Sequence, residues 1–237
     1  MERNARRLNE TTPRWLRPRM APEIVLGAAL AALLTALLLP TDAVFAIMSE
    51  GAGVESATVV FYLIAAAAVA LLRPPSINRG VAIMLTIVLL AFAARELDLH
   101  KSFTGMSMLR VSFYLDGGPL LPKVACLAVL LPVAASMLGL AARTHDVLRG
   151  VRRGEPAAWT ALTFVVALIL TKVADRSINI LSDDFAVQAP RYVAAAVLSL
   201  EEVVEMCLPV LAALGWVQAC FPGGATAAEE RLADASD

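Results

Sequence analysis

Apolar residues in this chain run in six long, unalternated stretches, at about 22–40, 56–73, 80–99, 122–142, 157–180 and 190–221, with shorter polar segments between them. Strands would show alternation every second residue, and a membrane barrel would repeat it in segments of about ten residues. These runs are instead continuous and rich in Ala and Leu, and most lie near the roughly 20 residues that a helix needs to cross a bilayer. The pattern predicts an all-α fold: a polytopic membrane bundle of about six transmembrane helices. Pro22, Pro122, Pro156 and Pro190 mark helix starts, where a first-turn proline gives up no hydrogen bond. Pro132 and Pro209 lie inside runs and are candidate kinks.

Composition identifies the solvent. With 59% apolar and 17% charged residues and a mean hydropathy of +0.71, the chain lies outside the range of soluble domains. The lipid bilayer is the expected surrounding. A net charge of −1 offers no electrostatic case for nucleic acid as a partner. Cys126, Cys207 and Cys220 fall in apolar runs without a CxxC pattern, which argues against a zinc knuckle or a disulfide framework and for small packing residues.

Loop charge orients the bundle. Arg3, Arg6, Arg7, Arg14, Arg17 and Arg19 precede the first run, Arg73 and Arg79 lie in the second loop, and Arg143, Arg149, Arg152 and Arg153 in the fourth. Basic residues in short loops accumulate on the cytoplasmic side, so these segments are expected inside, with both termini cytoplasmic. The first loop, with Asp42, Glu50 and Glu55, and the fifth, with Asp183 and Asp184, are acidic and expected outside. Three regions result: a basic cytoplasmic tail at 1–21, a six-helix transmembrane domain at 22–221 and an acidic cytoplasmic tail at 222–237. The apolar run Ile24–Leu39 after an Arg-rich segment also fits a cleaved secretory signal, but its length and the polytopic remainder favour a retained helix. The expected location is the cell inner membrane, multi-pass. The third loop, Lys101–Leu121, carries Phe103, Met106, Met108, Phe113 and Tyr114 and suggests an amphipathic segment on the outer surface.

Candidate chemistry lies where ionisable residues enter the runs. The third run ends in Arg95, Glu96, Asp98 and His100; the fifth holds Lys172, Asp175 and Arg176; the sixth holds Glu201, Glu202 and Glu205. At 1.5 Å per residue, Glu201 and Glu205 lie roughly 16 and 22 Å from Pro190, well inside a membrane, and Arg95 and Lys172 reach a similar level from the opposite side. An unpaired charge near the bilayer centre costs roughly 2.5–3.5 kcal/mol on insertion scales, so the three helices are expected to meet and face these groups towards one another. Glu201 and Glu205, and Lys172 and Arg176, share helix faces at i,i+4. Acids outnumber bases, and crowded carboxylates repel, so one glutamate is expected to hold a proton.

His100 one turn beyond Glu96 adds a metal reading, in which Glu96, His100, Glu201 and Glu205 ligate a divalent cation. Family patterns do not sharpen the choice. Glu201-Glu202 matches the paired glutamates of intramembrane CAAX-type proteases, but Met206 stands where those have arginine. Gly105-Met106-Ser107 is a GxS pattern of the rhomboid kind with no histidine on a later helix.

The leading functional expectation is a polar intramembrane pocket that binds or translocates a proton, cation or small polar solute, with Glu201 and Glu205 as the binding or protonating groups. Lys172 and Arg176 would tune them, and Arg95 with Asp98 would lock the third helix. A chain this short for a carrier suggests a homodimer. The alternatives are a metal-dependent membrane-embedded hydrolase acting on a lipid-like substrate and an assembly or sensing subunit in which the charges form a structural ion-pair network. The orientation is directly testable: reporter fusions at Gly53, Gly117 and Asp184 should read external, and those at Ser76, Gly150 and Ala233 cytoplasmic. A cytoplasmic signal at Gly117 would overturn the six-span order.

Overall fold

A computed structural model describes residues 17–49, 53–73, 77–99, 113–114, 120–183, 185 and 188–221; the side chains at 175, 179 and 181–183 are outside that description. Among the described residues there are no strands, and eight helices follow in order: α1 (Met20–Leu38), α2 (Thr41–Met48), α3 (Gly53–Leu71), α4 (Arg79–Glu96), α5 (Leu120–Ala141), α6 (Thr144–Arg152), α7 (Pro156–Asp183) and α8 (Arg191–Cys220). Four stretches are long and apolar enough to cross a membrane: Met20–Leu38, Thr41–Leu71, Leu120–Arg152 and Pro156–Ile178.

Solvent-facing chemistry agrees with a membrane-type bundle. In α1 only Ala21 and Ala32 are buried, and in α5 only Cys126 and Ser136. Leu26, Leu37, Leu38, Leu71, Leu120 and Leu121 each expose more than 70% of their surface. Apolar exposure on this scale exceeds the isolated patches of a water-soluble monomer.

Helix α8 is the opposite case and the centre of the bundle. Ten of its thirty residues are buried, and it packs against α1, α2, α3 and α7. Direction follows from paired contacts. Thr160, early in α7, donates to Gln218 Oε1, late in α8, at 2.6 Å, while the later Lys172 meets the earlier Glu205, so α7 and α8 are antiparallel. Trp216 Nε1 donates to the Leu72 carbonyl at 3.3 Å, placing the ends of α3 and α8 together, so these two run parallel. Ser199 Oγ donates to the Ala32 carbonyl at 3.0 Å, joining α8 to α1. The main core lies between α3, α4, α7 and α8, with Tyr62, Ala66, Leu89, Ala167 and Leu208 within it. Tyr62 stacks on Phe92 at 5.6 Å between ring centroids, and Phe92 tilts against Phe164 at 6.4 Å.

Several boundaries differ from the sequence expectation. The first loop contains α2, whose Val44 and Met48 pack on Ala195 of α8 and whose Asp42 accepts from Arg191 at 2.8 Å. Helix α3 begins at Gly53, so Glu55 lies in its first turn rather than in a loop. The fourth loop is largely α6, and α7 continues to Asp183. Helix α4 closes at Glu96, because Asp98 takes a left-handed backbone (φ 48°), which the short polar side chain of Asp tolerates better than most. The expected single helical turn joining Glu96 to His100 is therefore interrupted. His100, most of the Lys101–Leu121 segment, residues 1–16 and residues 222–237 lie outside the described residues.

Close approach of α7 and α8 depends on Gly215, where an added Cβ would lie 3.2 Å from Thr160 Cγ2. Gly215→Leu should consequently separate the two helices and lower the thermal midpoint in detergent by more than Thr160→Val does. The latter loses one interhelical hydrogen bond, worth about 0.6 kcal/mol on average in membrane proteins. Equal midpoints for the two variants would overturn this account of the helix contact.

Candidate functional site

Among the described residues Glu205 is the buried acid, 7% exposed, in the part of α8 that faces α3, α4 and α7. Its Oε1 contacts Lys172 Nζ of α7 directly and lies 3.7 Å from Arg95 Nη2 of α4. Arg95 also lies 4.0 Å from Glu96 Oε1. Three separate helices thus converge on one carboxylate. A buried charge is tolerable only when paired, and here the pairing sets the rotation of each helix about its axis.

Among the described residues, further carboxylates lie around this pair. Glu202 lies within electrostatic reach of Glu205, Glu201, Glu96 and Glu55, and Glu96 within reach of Glu205, Arg95, Lys172 and Glu55. Tyr62, 1% exposed, has its phenol in the field of Glu96, Glu205 and Arg95. Glu55 and Tyr62 were not among the residues singled out from sequence. Their signal was present, since positions 55, 58, 59, 62, 66 and 69 describe one helical face along which the packing of α3 lies.

The backbone contributes as well. Pro209 is buried within α8 and has no N–H, so the Glu205 carbonyl four residues earlier has no ladder donor. Carboxylate and freed carbonyl therefore belong to the same residue. Sequence reading took Pro209 as a kink; its spacing from Glu205 was the available clue.

The remaining predicted residues divide. Arg95, Glu96, Lys172 and Glu205 are brought together. Glu201 and Glu202 are half-buried on the same stretch of α8. Asp98 is half-buried but past the end of α4, and Arg95 turns to Glu96 and Glu205 of the site, so the link from α4 runs to α8. Arg176 is exposed on α7, one turn beyond Lys172, with no ion pair to an acid among the described residues. The Asp175 side chain and His100 lie outside the description. Among the described residues no group of three or more His, Cys, Asp or Glu side chains is placed to hold a metal ion. The expected ligand set of Glu96, His100, Glu201 and Glu205 is represented there by its carboxylates alone.

No protein-family model matches the chain, and neither the curated proteins nor the solved structures include a match.

The convergent pair predicts a definite pattern of stabilities. Lys172→Met leaves Glu205 buried with only the more distant Arg95, whereas Lys172→Met/Glu205→Met removes the charge together with its partner. The single variant should be the less stable of the two, by up to about 3–5 kcal/mol for a fully buried pair and by less here because Lys172 is 34% exposed. Denaturant titration in detergent measures this, and a double variant less stable than the single would overturn the pairing.

Proposed function

We propose that this is a multi-pass inner-membrane protein with six spans and cytoplasmic termini, in which the acid-rich site around Glu205 binds or translocates a proton, a cation or a small polar solute. The six spans are α1, α3, α4, α5, α7 and α8. Helix α4 is about 27 Å long and α8 about 45 Å at 1.5 Å per residue, enough to cross a hydrocarbon core of about 30 Å with modest adjustment of α4. In that arrangement the site lies towards the outer face, at the level of the first turns of α3 and the last turn of α4.

A single observation supports the reading most strongly: a buried carboxylate ion-paired to α7 and α4 is surrounded by more acids than bases. In low dielectric, such an excess favours occupation by an added positive charge, whether a proton, a metal cation or a cationic group of a solute. The freed Glu205 carbonyl supplies a second oxygen of the kind that replaces hydration water around a cation.

The direct contact of Lys172 with Glu205 favours a second reading, in which the network is structural and fixes helix packing. One set of variants separates the two. Under the binding reading, Glu205→Gln keeps expression and helix content and abolishes function in a deletion strain. Wild-type behaviour in all three of Glu201→Gln, Glu202→Gln and Glu205→Gln would eliminate the proton or cation role. Full function in Lys172→Met/Glu205→Met would establish the structural one.

A further inference from the structure

At the end of the bundle opposite Glu205, the segment between α5 and α7 builds a rigid basic element. Helix α6 ends in a turn in which Gly154 takes φ +73°, the Gly154 N–H donates to the Val151 carbonyl at 3.0 Å and the Glu155 N–H to the Gly150 carbonyl at 2.9 Å. This is the Schellman closure, and it reverses the chain into α7. Gly150 makes the reversal tight, since an added Cβ there would lie 2.7 Å from Ala158 Cβ of α7. The face of α6 carrying Val147, Gly150 and Val151 is thereby turned into the protein, and those residues are buried or half-buried. His145, Arg149, Arg152 and Arg153, spaced i, i+4, i+7 and i+8, form the other face and are exposed.

More arginine lies at the same end. A Cβ on Gly139, late in α5, would run into Met84 Sδ, early in α4, so the end of α5 and the start of α4 adjoin. That contact brings exposed Arg79 to the level of Arg143. The acids available are few: Arg153 lies 3.7 Å from Glu155 in an exposed pair, and Asp146 is on the first turn of α6. Among the described residues, Arg79, Arg149 and Arg152 have no carboxylate partner. Trp159, half-buried in the first turns of α7 at this end of the bundle, is an aromatic residue of the type enriched at membrane interfaces.

We infer that the exposed arginine face of α6 is a binding site for the phosphate headgroups of anionic phospholipids in the cytoplasmic leaflet. Charge complementarity selects the occupant, and the position of α6 between two membrane-length helices brings it to headgroup level; the inference rests on the membrane orientation proposed above. Guanidinium groups at three positions of one helix face suit the repeated phosphodiesters of a lipid surface, because each fork takes two oxygens of one headgroup.

The test uses the full-length protein in detergent, mixed with equal amounts of phosphatidylglycerol and phosphatidylcholine, with retained lipid read by native mass spectrometry. Wild type should retain phosphatidylglycerol preferentially. The triple variant R149Q/R152Q/R153Q should lose that preference by more than about tenfold, each arginine near an anionic surface being worth roughly fivefold. The charge-preserving R149K/R152K/R153K should keep most of it. Unaltered preference in the glutamine variant overturns the site, as does displacement of the lipid by millimolar inorganic phosphate, which would identify a free-anion site instead. If the glutamine variant fails to fold, wild type decides alone: its preference must fall as sodium chloride rises from about 50 to about 500 mM, and a salt-independent preference overturns the inference. A reporter fusion at Gly150 that reads external would count against the orientation, while the lipid measurement would still report on the arginine face itself.

Discussion

Everything about the arrangement of α4, α7 and α8 depends on the buried carboxylate of Glu205 being met by cations from two other helices. Lys172 and Arg95 arrive on long side chains whose heads must reach one oxygen, which restricts α7 and α4 to rotations that present those faces to α8. Once α8 is fixed, the rest follows through it. Ser199 ties α8 to α1, Trp216 ties it to the end of α3, and Ala195 receives Val44 and Met48 of α2. Helix α8, which carries Glu201, Glu202 and Glu205, thus occupies the centre of the bundle, and the apolar helices α1 and α5 are left at the periphery with their leucines exposed. That inversion of the soluble rule is what a hydrocarbon solvent favours.

Local helix electrostatics agrees with the placement of charge. Arg95 occupies the last turn of α4, where the carbonyl end of the helix favours a cation, and Glu55 occupies the first turn of α3, where the amide end favours an anion. These two ends adjoin because α3 and α4 form a helical hairpin, so opposite dipole ends meet where opposite charges are found. At the other end of the bundle the interhelical links are uncharged, Thr160 with Gln218 and Trp216 with Leu72. The arginines there point outward from α6 and the start of α4. Among the described residues, the buried charge lies at the Glu205 end, and the charge at the other end is largely exposed.

Legibility from sequence followed the strength of the physical signal. Continuous apolar runs are hard to mistake, and each became a helix. The meeting of Arg95, Lys172 and Glu205 was also readable, because charges at matching depth in apolar runs have few ways to avoid one another. Helices α2 and α6 were read as loops, since eight or nine residues with mixed polarity carry little periodic signal apart from tertiary packing. The end of α4 was extended past Glu96 because the Leu97-Asp98-Leu99 stretch continues the apolar pattern, while the break depends on a backbone conformation at Asp98 that no pattern announces. Arg176 was assigned beside Lys172 from its i,i+4 spacing, yet spacing on one helix does not decide which of two basic residues reaches a neighbour. Tyr62 and Glu55 carry a weaker signal in the sequence, because a tyrosine within an apolar run is ordinary and a first-turn glutamate looks like part of the preceding loop.

Charge balance bears on the choice between a packing lock and a binding site. A lock needs one acid for each base, and surplus carboxylates only add repulsion that the fold must bear. Among the described residues, two bases and Glu96 lie around Glu205, and Glu202 lies within electrostatic reach of Glu205 and Glu96. Proline in an α-helix interior carries a further cost, yet Pro209 falls at the one spacing that releases the carbonyl of the paired glutamate. Each of these two features weakens a structural network. Their coincidence at one residue of the central helix is the physical ground on which the binding proposal rests, and the direct Lys172 contact is the ground for helix pairing.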